Sequence, residues 1–190
     1  MRALDWPWIS AAGLSALALA PVQIVVAAEY LSITDAQRAL FAQADRFEEI
    51  VLKPSPEQLR AIAQLAGPQP RHRNLQVWRA VHGAELLGHF FVDEVVGRQD
   101  FITYAVGIDA AGKLSAIEVL AYRESHGGEI RNAAWRRQFN GRQRLEQLRF
   151  RTDIKNITGA TLSCEHVTQG VRWLSALWQT ALGADTNPTT

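Results

Sequence analysis

Four strand-like apolar runs, the last two of them alternating and all joined by turns too short to hold a helix, do most to limit what this chain can become. They are Leu75 to Val81, Glu85 to Val95, Phe101 to Ile108 and Leu114 to Tyr122. The period of two in Phe101 to Ile108 and Leu114 to Tyr122 marks strands. His82-Gly83-Ala84 links the first two runs, and Asp109-Ala110-Ala111-Gly112 carries the turn between the last two. Parallel strands need a crossover of a dozen or more residues, so such links point to an antiparallel β-meander rather than βαβ units. The fold class expected is α+β, with the meander packed against helices.

Helical signals flank the strands. Thr34 or Asp35 is placed to cap a helix through Leu40, Phe41, Ala44 and Phe47. Ser55-Pro56-Glu57 opens another, with Leu59, Ile62, Ala63 and Leu65 on one side and Gly67-Pro68 at its end. A helix from about Glu129 to Phe139 and a short strand near Leu148 to Ile154 follow. Leu162, Val167, Val171, Leu174 and Trp178 then recur at helical spacing in a C-terminal amphipathic helix, with Trp173 and Trp178 assigned to the core. The organisation read from this is a targeting segment at 1–28, an N-terminal helical segment at 29–70, the main domain at 71–184 and a tail at 185–190.

The targeting segment is read from Ile9 to Ala28, which holds no charged residue and follows Arg2. Val26-Ala27-Ala28 offers small residues for cleavage before Glu29. This uncharged, largely apolar stretch of 20 residues is also long enough to span a bilayer as an uncleaved anchor; Pro21 favours the cleaved signal. Either outcome predicts a domain outside the cytoplasm.

Composition excludes several classes. At 190 residues the chain has room for one domain with a proper core, and a formal charge of +1 gives no basis for nucleic-acid binding. One cysteine excludes an internal disulfide framework and a cysteine metal cluster. No Walker loop, Rossmann glycine fingerprint, zinc helix or Cys-X-X-Cys-His run occurs. His72, His82, His89 and His166 show no ligand spacing, so no metal site is assigned. Cys164 is expected to be a buried, inert thiol. Arg136, Arg137, Arg142, Arg144, Arg149 and Arg151, interleaved with Glu146, read as a mostly solvated basic face.

The chemistry is concentrated in Ile157-Thr158-Gly159-Ala160-Thr161-Leu162-Ser163, directly before the last helix. Gly159 permits a tight turn, and Ala160 keeps the approach uncrowded. Thr161 falls near the N-cap, where unpaired N–H groups and the helix dipole favour an anion. The same residues also suit a plain cap at Thr161 or Ser163. Upstream, Glu124, Ser125 and His126 end the fourth strand. A general acid–base pair or small hydrolase built on Ser125 or His126 lacks the Gly-X-Ser-X-Gly elbow, so a polar loop that bonds locally or touches a cofactor is preferred.

Thr158-Gly159-Ala160-Thr161 resembles the Ser/Thr-Gly-Ala-Thr flavin-attachment sequence of the FMN-binding domain family. Tyr122-Arg123-Glu124-Ser125-His126-Gly127, followed by Gln138, Phe139 and Gly141, resembles the block that precedes it in small stand-alone members. Gly88-His89-Phe90-Phe91-Val92 resembles an earlier strand of the family, and the likeness runs in order from about Tyr30 to Leu182. The resemblance implies FMN in phosphoester linkage to Thr161, with Thr158, Gly159, Ala160, Leu162 and Ser163 around the attachment point. It places Glu124, Ser125 and His126 near the flavin, with Tyr122 and Trp135 the nearest aromatic candidates in sequence.

It further implies an exported, periplasmic or membrane-associated electron carrier rather than an enzyme with its own small substrate. A flavin transferase using FAD and Mg²⁺ would install the FMN, and a membrane oxidoreductase or cytochrome would exchange electrons with it. The same module occurs in the C subunit of Na⁺-translocating NADH:quinone oxidoreductase and the G subunit of the Rnf complex. The alternative is a module that kept the fold without flavin and serves assembly of a redox complex. Two departures stand out: Lys155 occupies a position often acidic in the family, with Asp153 two residues upstream, and Cys164 replaces a small polar residue.

Overall fold

The computed structural model describes residues 28–68, 75–123 and 127–183. Six strands make one sheet: β1 (Ala28–Glu29), β2 (Arg46–Ile50), β3 (Gln76–His82), β4 (Glu85–Val96), β5 (Phe101–Asp109) and β6 (Leu114–Tyr122). Their order is β1-β6-β5-β4-β3-β2, and every pairing is antiparallel. Strands β3 to β6 are the four predicted runs, each beside its successor, as the short links require. The fold is α+β.

The N-terminal third departs from the expected run of helix. Helix α1 (Ile33–Leu40) is capped by Ser32, not by Thr34 or Asp35; Ser32 Oγ accepts from the Asp35 N–H at 3.1 Å. It stops before Phe41, and Phe47 lies in β2. The three-residue spacing of Phe41, Ala44 and Phe47 imitates a helical stripe. A turn (Ala44 N–H to Phe41 C=O, 3.0 Å) followed by an edge strand achieves the same burial, with Phe47 opposite Ala80. Phe47 then meets Phe41 and Phe90 edge-on, at 6.5 and 6.2 Å between ring centroids. The segment predicted to be helical thus contributes β1 and β2 to both edges of the sheet. Helix α2 (Pro56–Ala66) follows its cap signals, with Ser55 and Gln58 in a reciprocal capping box. Of the predicted apolar side, however, only Ile62 is buried, while Leu59, Ala63 and Leu65 are exposed.

Two further expectations are corrected. The helix predicted from Glu129 to Phe139 is a chain of short pieces, 3-10 turns at Gly128–Arg131 and Arg137–Phe139 around α3 (Ala133–Arg136). Asn132 breaks the run by turning its Oδ1 onto the Ala134 N–H at 2.8 Å, a local bond that competes with helix continuation. The stretch from Leu148 to Ile154 is a turn closed by one bridge between Phe150 and Ile154, not a strand. The last helix, α4 (Thr161–Ala181), is as long as its pattern suggests.

Each face of the sheet is covered. Helix α1 packs over one face with Phe90, Val92, Ala105 and Leu120. Helices α2 and α4 cover the other with Phe91, Tyr104, Val106, Ile117 and Val119, and Trp173 and Trp178 are buried there as expected. A β-bulge decides where the last strand points. Thr103 pairs with Ala121 but Tyr104 pairs with Val119, so Leu120 is an extra residue in β6. The insertion reverses the alternation beyond it. Tyr122 therefore joins Val119 on the α4 side of the sheet.

Among the described residues no helix is long and apolar enough to cross a membrane. The targeting segment lies outside the described residues apart from Ala28, which pairs with Tyr122. The 185–190 tail also lies outside them.

Candidate functional site

The attachment turn and the first residues of α4 form a small exposed shelf. The Ala160 N–H bonds to the Ile157 carbonyl at 3.1 Å, closing the turn. Gly159 sits at φ +91°, where a side chain would be strained, and the space above it is open for 4 Å. Thr158 and Gly159 are exposed, Ala160 is buried beneath them and Leu162 is exposed.

Ala160, not Thr161, is the N-cap residue, and Thr161 is the first residue of α4. Ala160 has no side-chain acceptor to offer, so no side chain caps the first turn of a 21-residue helix. Thr161 is half-buried, and its Oγ1 accepts from the Asn156 side-chain amide at 3.0 Å. Asn156 thus fixes the hydroxyl oxygen without taking its proton. Sequence reasoning did not single out Asn156; its spacing from Thr161 carries no helical or strand signal.

Ser163 does not share this exposure. It is buried, and its Oγ meets the Tyr122 Oη at 3.0 Å. Gly127 (φ +90°) closes over that pair: a Cβ there would lie 2.5 Å from Tyr122 Oη, 3.0 Å from Ser163 Oγ and 3.6 Å from Ala160 Cα. Tyr122, Gly127, Ala160 and Ser163 therefore form one packed junction. Glu124, Ser125 and His126 lie outside the described residues; Gly127, which follows them, packs against the attachment turn, while Arg123 before them reaches Thr103 and Glu94.

Beside the shelf runs an open groove of about 540 Å³, lined by Trp135, Gln138, Arg142, Lys155, Asn156 and their neighbours. Its floor is stitched to backbone. Trp135 Nε1 donates to the Lys155 carbonyl at 2.8 Å, and the Lys155 N–H donates to Gln138 Oε1 at 2.8 Å. The Trp135 ring is 3% exposed and packs edge-on against Phe139 at 5.1 Å.

The basic face is mostly solvated, as expected: Arg137, Arg144, Arg149 and Arg151 are exposed, and Arg136 and Arg142 are half-buried. Arg142 donates to the carbonyls of Gln138, Gln147 (2.8 Å) and Asp153 (3.0 Å), pinning the 138–154 turn. Arg136 pairs with Glu118, and Arg149 pairs with Asp153 at 2.8 Å. The Arg149 hydrogen bond holds the Asp153 carboxyl below the usual carboxylate range. His89 is buried and accepts from Trp178 Nε1 at 3.1 Å, while His166 Nδ1 meets the Val96 carbonyl at 2.5 Å; neither belongs to the shelf. Cys164 is fully buried, and burial pushes its thiol up, away from the reactive thiolate.

What this arrangement offers is a positioned, esterifiable hydroxyl at an uncapped helix N-terminus, next to a polar groove with an aromatic edge. A helix start of this kind is suited to holding an anionic group. Residues 97–174 match the family model of the FMN-binding domain, and the match supports the FMN-binding domain family. It spans β5, β6, the junction at Gly127, the groove and the first two-thirds of α4. No curated protein matches the chain.

The residues present fit FMN. The first-turn N–H groups of α4 suit a phosphate, the Thr161 hydroxyl stands in the same turn, and the space over Gly159 is open. The groove is of the size that small-ligand sites commonly have.

Proposed function

We propose that this chain is an exported flavoprotein that holds FMN by a phosphoester on Thr161 and passes electrons in an extracytoplasmic redox chain. One observation carries the reading: within the matched family segment, the Thr161 hydroxyl stands at the uncapped start of α4, with its oxygen fixed by Asn156 and open space over Gly159. A bound flavin supplies one- and two-electron redox chemistry. The chain's own part is to fix, orient and shield. Attachment replaces the Thr161 O–H bond with an O–P bond, and with FAD as donor the products are AMP and a proton. A separate flavin transferase performs this step. The helix terminus stabilises the phosphate's charge, worth about 0.3–1 kcal/mol at an exposed site.

A tether suits a carrier outside the cytoplasm, where a released flavin is not readily replaced. The exchange partners fitting this role are a membrane oxidoreductase or a cytochrome.

The deciding experiment is intact mass and peptide mapping of protein exported from cells that contain a flavin transferase. The expected protein is yellow and heavier by one FMN less one water, with the adduct on the Thr161 peptide. Thr161→Ala is expected to abolish both colour and mass shift while folding normally. Unmodified wild-type protein would instead favour an assembly module that kept the fold.

A further inference from the structure

The groove beside Thr161 has an unusual distribution of charge. Of the cations that line it, Arg142 spends its donors on three backbone carbonyls. The one lining carboxylate, Asp153, is held by Arg149. Lys155 differs from both. Its backbone is clamped, since its N–H donates to Gln138 and its carbonyl accepts from Trp135, yet its side chain is exposed. Among the described residues no carboxylate pairs with it. It is one of only three lysines in the chain, and the other two, Lys53 and Lys113, do not line the groove.

The next residue, Asn156, forms the groove's end and hydrogen-bonds Thr161 Oγ1. A ring tethered at Thr161 therefore has this groove as its adjoining recess, with the Trp135 edge at the wall and one unspent positive charge at the rim.

We infer that the groove receives the flavin ring and that Lys155 is a positioning residue that raises the flavin's reduction potential. The inference rests on attachment at Thr161. Uptake of two electrons and one proton leaves a flavin ring with one negative charge that the oxidised ring lacks. The electrons come from a reduced redox partner, or from dithionite in the laboratory. A fixed cation at the rim stabilises the charged product and not the neutral reactant, so it shifts the equilibrium toward reduction. Exposure to solvent limits the effect of one such charge to roughly tenfold in the equilibrium constant, which is about 30 mV for a two-electron couple.

The test is a potentiometric titration of the FMN-loaded protein with dithionite and a reference dye, after intact mass has established the adduct in each sample. Lys155→Gln is expected to lower the reduction equilibrium constant about tenfold, and Lys155→Glu about a hundredfold. Lys155→Arg is expected to keep the wild-type value, as is Lys113→Gln, which removes the same charge away from the groove. Adducted Lys155→Gln and Lys155→Glu proteins within twofold of wild type would overturn this role and leave attachment standing. A shift of equal size in Lys113→Gln would also overturn it, since net charge would then be responsible. Wild type without an adduct would overturn attachment itself, and this inference with it.

Discussion

At the scale of single residues, the site depends on two small devices. Asn156 holds the Thr161 oxygen by one exposed hydrogen bond at 3.0 Å. Such a bond is worth on the order of 1 kcal/mol, or roughly fivefold in a rate. Asn156→Ala is therefore expected to slow flavin attachment about fivefold with little change in thermal midpoint, followed by time-resolved intact mass with a transferase and FAD. Gly127 is the second device. Its left-handed backbone and the 2.5 Å approach to Tyr122 Oη leave no place for a Cβ. Gly127→Ala is expected to cost about 1–3 kcal/mol in urea unfolding, with fluorescence or mass readouts showing a looser attachment turn. Thr161 and Gly159 were legible as residues from the motif alone. Asn156 was not, because its role exists only once the turn brings it back onto Thr161.

At the scale of elements, the β6 bulge and the seat of α4 set the geometry. Without the extra Leu120, Tyr122 would face α1 and Ser163 would lose its partner. Beneath α4, Tyr104 and Asp93 form a fully buried cross-strand pair, Tyr104 Oη donating to Asp93 Oδ2 at 2.8 Å. Helix α4 can lie this close because residue 170 is glycine; a Cβ there would sit 2.1 Å from Tyr104 Oη.

Gly170→Ala is expected to cost about 1–3 kcal/mol by overpacking. Tyr104→Phe is expected to cost a similar amount, about 1–3 kcal/mol, by removing a donor from a buried carboxylate. In the double variant the missing hydroxyl relieves the clash, so the two costs should fall short of additive by about 0.5–3 kcal/mol. Guanidinium unfolding of the four proteins measures that coupling. The breaks in the 128–139 stretch and the edge strand β2 were misread for one physical reason. Local apolar spacing cannot distinguish a helical stripe from a turn and strand that bury the same rings.

At the scale of the whole molecule, the same buried pair gives stability a defined response to alkali. Burial, then the neighbouring Asp93 charge, raises Tyr104 well above the ordinary tyrosine value. Up to about pH 10, the unfolded-chain value, both states keep the proton and this group adds no pH dependence. Above it the unfolded chain loses the proton that the native state retains, so stability falls as pH rises toward the folded value. Guanidinium midpoints measured from pH 9 to 11.5 are expected to drop, and to drop less in Tyr104→Phe. Ultraviolet absorbance should show the Tyr104 phenolate appearing together with loss of near-ultraviolet circular dichroism.

The strand-like runs and the short turns between them, by themselves, determined the antiparallel meander, because period and link length leave no other pairing. The glycine turn before a helical stripe likewise placed Thr161 near a helix start, and the resemblance to the flavin-attachment sequence singled it out. Tertiary structure alone decided what surrounds that hydroxyl. The bulge turns Tyr122 toward Ser163, Gly127 packs against that pair and Ala160, and the clamped backbone at Lys155 builds the groove. None of these is written in local spacing, since each depends on residues 20 to 41 positions apart meeting across the sheet and α4.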